Sequence, residues 1–161
     1  MNPDAFFLFL TFQAERAEEF FRNESISAGD YKIYSVKHEE VPLYLNAADI
    51  GIMIMEKNAA IAVCSPVKIP EYTACGLFTI VTEGMGDASD FVKKEGIGIV
   101  AKDASDEEMR VTAEKASARI HEIRDVKNKA RISGIAHGKY AWENLIPLIM
   151  SAYAAVKQNE I

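Results

Sequence analysis

Five short, nearly unbroken apolar runs constrain this chain more than any other feature. They cover residues 5–12, 31–36, 49–55, 77–81 and 97–101. None alternates apolar with polar residues, so each reads as a strand covered on both faces, the habit of a parallel sheet. Helical patterns lie between them. Residues 13–24 hold strong helix formers, with Ala17, Phe20 and Phe21 at helical spacing. In 41–48, Pro42 suits a first helical turn, and Leu43 and Ala47 share a face. Residues 73–76 end a helix on Gly76, and 88–96 end one on Gly96. Beyond residue 101 the pattern is helical throughout. Ser105 and Glu108 propose a capping box for a helix to about 124, a second helix spans 127–138, and a third starts between 140 and 143 and runs to 157. Pro147 falls inside the third and predicts a kink or a late start. Strand alternating with helix means an α/β fold with a doubly wound parallel sheet and a helical C-terminal segment. At 161 residues, with no internal repeat, it reads as a single domain, 1–161.

Several classes of function drop out early. The net charge is −6 with no basic stripe, which excludes nucleic acid as the main partner. A small anionic ligand remains open, because a few N–H groups and one lysine suffice to hold a phosphate. Cys64 and Cys75 form no metal-spaced set, and His38, His121 and His137 are scattered, so two reduced cysteines in a cytoplasmic protein and no metal are expected. The start, MNPDAFFLFLTF, carries Asp4 where a signal peptide has basic residues, and reads as a buried first strand.

In doubly wound sheets ligands bind beyond the carboxyl ends of the strands. The longest such loop follows the third run and ends in CSPVKIPEYTACG, residues 64–76. A helix start exposes unpaired N–H groups and a positive dipole end, and Lys68 adds a mobile cation; both suit phosphate. Glu71, one turn on, is a poor phosphate ligand and a good acceptor for the two vicinal hydroxyls of a ribose. Together they describe a site for a nucleoside diphosphate. A purely structural account is equally compatible with these residues: Ser65 caps the helix, Glu71 complements its dipole, and Lys68 is a solvated partner. Pro70 moves the regular start of the helix toward Val67.

VPLYLNAADIGIMI, then SPVKIPEYTACGLFTIV, GIGIVA and a late YAWENLIPLIMSAY, resemble the carboxyl-terminal domain of family-4-type GT-B glycosyltransferases. The matching positions are Tyr44, Ala48 and Asp49, then Ser65, Pro66, Lys68, Glu71, Tyr72, Ala74 and Gly76. The resemblance spans about residues 36–153. It implies a Rossmann-like domain, one half of a GT-B fold, that binds a nucleotide diphosphate sugar. By position, Glu71 matches the glutamate that binds the donor ribose. Val67 and Lys68 match backbone N–H groups facing the diphosphate, with Ser65 beside them. Val36 and His38 fall nearest the base.

Some family features are missing. The family often has a second glutamate eight positions before Glu71, where this chain has Val63. Phe78 replaces a common proline, Pro70 is unusual, and no Arg/Lys pair matches the usual diphosphate clamp. The resemblance therefore implies the donor-binding half of a retaining glycosyltransferase for polysaccharide or glycoconjugate synthesis. It needs no metal or cofactor, and it would not turn over alone. Its partner is an N-terminal acceptor-binding domain, expected to be absent from this chain, with any membrane association only indirect, through that domain or the acceptor. An apolar surface on the last helix, including Trp142, Leu145, Ile146, Ile149, Met150 and Tyr153, should then stand exposed at least in part. Rival readings are a nucleotide-sugar epimerase, which would need its own acid/base carboxylates and histidine, and a non-catalytic nucleotide-binding module.

Overall fold

The computed structural model describes residues 5–158. The acidic start at Asp4, weighed above against a signal peptide, lies outside them. The described residues gather into two compact units, one through Ala48 and one from Asp49 onward. Each has its own parallel sheet.

The first unit pairs β1 (Phe7–Leu10) with β2 (Tyr31–Tyr34), Phe7 lying opposite Tyr31 and Leu10 opposite Tyr34. Between them α1 (Ala14–Asn23) turns Phe21 inward. Phe21 is 3% exposed; Phe9 meets it edge-on at 4.6 Å and Tyr31 stacks on it at 4.3 Å. Phe12 and Phe20 are exposed. The expected burial of 5–12 on both faces is therefore not met. The strand is four residues long and half-exposed, because its sheet has only two strands. A 3₁₀ turn at His38–Glu40 leads into α2 (Val41–Leu45), with Pro42 in its first turn. Here Tyr44 packs on Tyr34 at 5.1 Å and Leu43 faces solvent.

The second unit holds β3 (Ile50–Met53), β4 (Phe78–Thr82) and β5 (Gly98–Ala101), all parallel and in that order. Helices α3 (Lys68–Ala74) and α4 (Ala88–Glu95) form the crossovers. Then come α5 (Asp106–Ala118), α6 (Ile120–Arg124), α7 (Val126–Tyr140) and α8 (Trp142–Gln158). Every residue of β4 is buried. Its alternating side chains feed two cores. Phe78 and Ile80 join Ile99, Ala116 and Ile123, so α5 and α6 cover that face. Val81 joins Ile69, Phe91, Val92 and Ile132, so α3, α4 and α7 cover the other. Each such side chain contributes roughly 1.5–3 kcal/mol by leaving water. This is the doubly wound layering expected from the continuous apolar runs.

Both crossover helices stop in the same way. At the end of α3, Gly76 N–H donates to the Thr73 carbonyl at 3.0 Å and Leu77 N–H to the Tyr72 carbonyl at 2.9 Å. That pair of bonds is a Schellman turn, and it sets Gly76 at φ +72°. A Cβ there would also approach the Lys129 carbonyl of α7 to 2.6 Å, so both backbone and packing demand glycine. Gly96 closes α4 with the matching bonds to Lys93 and Val92.

Three helical expectations shift. The helix of 105–124 breaks at Arg119, whose guanidinium lies 4.6 Å over the Phe78 ring and donates twice to Glu122, at 2.9 and 2.8 Å. The capping box at Ser105 is half formed. Ser105 Oγ accepts from the Glu108 amide, but Glu108 accepts from the Lys102 amide instead of returning the bond. Pro147 does not break α8. It sits in the second turn, so only the Glu143 carbonyl loses its helical donor, and Glu143 is exposed to water.

As expected, α8 is largely uncovered. Asn144 ties its start to α7 by donating to the His137 and Gly138 carbonyls. Beyond that, Trp142, Ile146, Ile149, Tyr153 and Val156 are 45–71% exposed and recur at alternating steps of four and three. Among the described residues no helix is long and apolar enough to cross a membrane.

Candidate functional site

The loop leaving β3 is built around Asn58 and Ile61. Asn58 Oδ1 accepts from the amides of Ala60 at 2.8 Å and Ile61 at 3.2 Å, folding the chain into a 3₁₀ turn at Ile61–Val63. Ile61 is buried and anchors the turn. Its carbonyl accepts from Gly86 at 2.9 Å, which joins this loop to the glycine-rich loop after β4. Gly86 lies at φ +47°, and a Cβ there would collide with the Cys64 carbonyl. Buried Met85 fixes the same loop from beneath. EGMGD is thus a pinned turn.

From Cys64 the chain enters α3. Val67 precedes the helix with near-helical angles, and no side chain caps it. Ser65 is exposed and is not the cap. Pro70 falls in the first turn, where a missing N–H costs nothing. The Ile69 and Glu71 amides go to the Pro66 and Val67 carbonyls. Among the described residues, the Val67 and Lys68 amides meet no acceptor. Lys68 Nζ donates to Glu71 Oε2 at 2.9 Å, with the glutamate side chain 27% exposed. The structure brings Ser65, Val67, Lys68 and Glu71 together at the carboxyl end of β3. Tyr72 lies against Gly51 of β3, where a Cβ would enter its ring, and donates to the Ile52 carbonyl at 3.4 Å. Burial raises the pKa of the Tyr72 hydroxyl and of the Cys75 thiol, so both stay neutral near pH 7.

Val36 and His38 belong to the first unit, at the carboxyl end of β2. Val36 is half-buried and His38 is exposed in the 3₁₀ turn. His121 and His137 are exposed on α6 and α7.

One ion pair at the sheet's carboxyl edge escapes a reading of sequence. Lys57, after β3, donates to Glu83, after β4, at 3.0 Å. The Lys57 hydrogen bond holds the Glu83 carboxyl below the usual carboxylate range, and Lys93 and Lys102 add to the pull. The partners are 26 residues apart, so no local pattern signals them. Two shallow depressions, about 390 Å³ near Phe91 and Lys139 and about 580 Å³ at the start of α1, contain none of the expected site residues. Among the described residues no three His, Cys, Asp or Glu side chains are grouped to hold a metal ion.

With this geometry in hand, known structures supply a comparison. A sucrose-phosphate synthase from Thermosynechococcus elongatus superposes with a TM-score of 0.68 over 94% of this chain, at 14% sequence identity. The fold matches a Rossmann-like GT-B half. This GT-B-like domain spans 38% of that chain's length. No family model matches the sequence, and no curated protein does. The likeness is therefore one of fold.

Proposed function

We propose that this chain is the donor-binding part of a retaining, family-4-type GT-B glycosyltransferase. It would hold a nucleotide diphosphate sugar while the sugar passes to an acceptor hydroxyl in polysaccharide or glycoconjugate synthesis. The observation that carries this reading is the start of α3, with two unpaired amides and the Lys68 ammonium one turn from the Glu71 carboxylate. The amides and the lysine suit a diphosphate and would offset its charge as it leaves. Glu71 suits the ribose diol, in a positioning role without proton transfer. No metal or other cofactor enters this reading.

The acceptor site belongs, on this reading, to an N-terminal domain that completes the fold, and the exposed stripe on α8 is a surface for it. Turnover is expected only with both halves present.

Calorimetric titration with UDP, GDP and ADP tests the reading. Weak binding is expected, and Glu71→Gln should lower the affinity about ten-fold or more. That loss corresponds to roughly 1.5–3 kcal/mol for a charge-assisted bond. A 2′-deoxy nucleotide should bind the parent less well and the variant about equally. Unchanged affinity with a lower melting temperature would leave Glu71 a structural residue. No binding at millimolar concentration, even with the rest of the fold restored, would end the proposal.

A further inference from the structure

We infer that Lys68 and Glu71 select their ligand by exchanging partners: each occupies the other in the free protein, so the site favours a molecule that carries both a phosphate anion and a vicinal diol. This rests on the functional reading above and adds a rule for discrimination. In the free protein Lys68 Nζ donates to Glu71 Oε2 at 2.9 Å. The two lie three residues apart on α3, so the pair opens and closes by side-chain rotation alone.

Consider what each half of a ligand would do. A diol that takes Glu71 by itself strips Lys68 of its counter-charge. A diphosphate that draws Lys68 by itself leaves Glu71 unmatched and sets a second anion beside it. A nucleoside diphosphate replaces both partners in one step: the ammonium turns to phosphate, and the carboxylate accepts from two hydroxyls. The neighbouring titratable groups offer no substitute, since Tyr72 and Cys75 remain uncharged near neutral pH. The pair is partly exposed, with side-chain exposures of 47% and 27%, so the penalty on a half-ligand is modest, about two- to five-fold.

The test uses the whole chain and three probes: whichever of UDP, GDP and ADP binds best, its parent nucleoside, and inorganic pyrophosphate. Lys68→Met should bind the nucleoside about two- to five-fold more tightly than the parent and the diphosphate more weakly. Glu71→Gln should bind pyrophosphate more tightly and the nucleoside diphosphate more weakly. Added salt, which screens the pair, should raise nucleoside affinity in the parent and leave Lys68→Met unchanged. If nucleoside affinity fails to rise in Lys68→Met while the parent still binds a nucleoside diphosphate, partner exchange is wrong and the functional reading stands. If the parent binds no nucleoside diphosphate, both fall.

Discussion

Three threonines in the second unit show how differently one side chain is accommodated. Thr73 Oγ1 donates to the Ile69 carbonyl at 2.7 Å, one turn back on α3. Thr82 Oγ1 accepts from the Met55 amide at 2.9 Å and pins the exit of β3 to β4. Thr112 of α5 is buried, yet its hydroxyl has no hydrogen-bond partner among the described residues. A buried polar group without a partner keeps its desolvation cost, about 1–3 kcal/mol. Thr112→Val keeps the branched shape and removes the hydroxyl. It is expected to leave stability unchanged or raise it by about 1 kcal/mol, read as the midpoint of urea unfolding. A clear loss of stability would mean that the hydroxyl has a partner in solution, such as a bound water.

At the scale of elements, a charged clamp ties a strand to two helices distant in sequence. Asp49, at the start of β3, accepts from Arg124 of α6 at 3.0 Å and from Lys129 of α7 at 2.8 Å. Partial burial pushes its carboxyl pKa up, but the hydrogen bonds from Lys129 and Arg124 outweigh that and hold it below the usual aspartate range. A depressed pKa adds stability that is fully present above the unfolded pKa, near 3.9, and is lost as pH falls through the folded value. Asp49→Asn should therefore cost roughly 1 kcal/mol at pH 7, discounted for exposure. The gap between variant and parent should close below about pH 4 in unfolding curves taken across that range. A gap that persists once the carboxyl is protonated in both folded and unfolded chain would assign the variant's defect to packing. The clamp was half legible in sequence: Asp49 stood out, but its partners lie 75 and 80 residues away. All five strands were legible as short apolar runs, but their burial was not: β4 alone is buried at every residue, and β1 and β2 are half-exposed in a two-stranded sheet. The break at Arg119 was not, and the contact its side chain makes there is with Phe78 of a distant strand. At the candidate site, the residue types from Ser65 to Glu71 were readable locally. Which of them pair, and how Lys57 meets Glu83, depends on loops brought together by the fold.

For the whole molecule, the stripe on α8 is the surface feature with the widest reach. Steps of four and three are the spacing of a helix seam that packs against another helix. Trp142, Ile146, Ile149, Tyr153 and Val156 carry it in contact with water. An exposed seam of this size should bind hydrophobic dyes and draw copies together as concentration rises. Replacing Ile146 and Ile149 by glutamate should suppress both effects with less than about 0.5 kcal/mol lost from folding, the usual range for surface changes. Sedimentation and dye fluorescence measure the first, and urea unfolding the second. A large loss of stability would instead mean that the stripe is part of this chain's own core.

Phe21 has a consequence in the order of folding. Among the described residues it is the buried one of the first unit, through Ala48, whereas the second unit encloses its sheet between two clusters. One buried aromatic side chain contributes roughly 1.5–3 kcal/mol, and ordering even a few backbone residues costs as much. Of the two units, the one that leaves the ribosome earlier is therefore expected to order later. A peptide of residues 1–48 should show no cooperative thermal transition, and a sharp one would reverse that order.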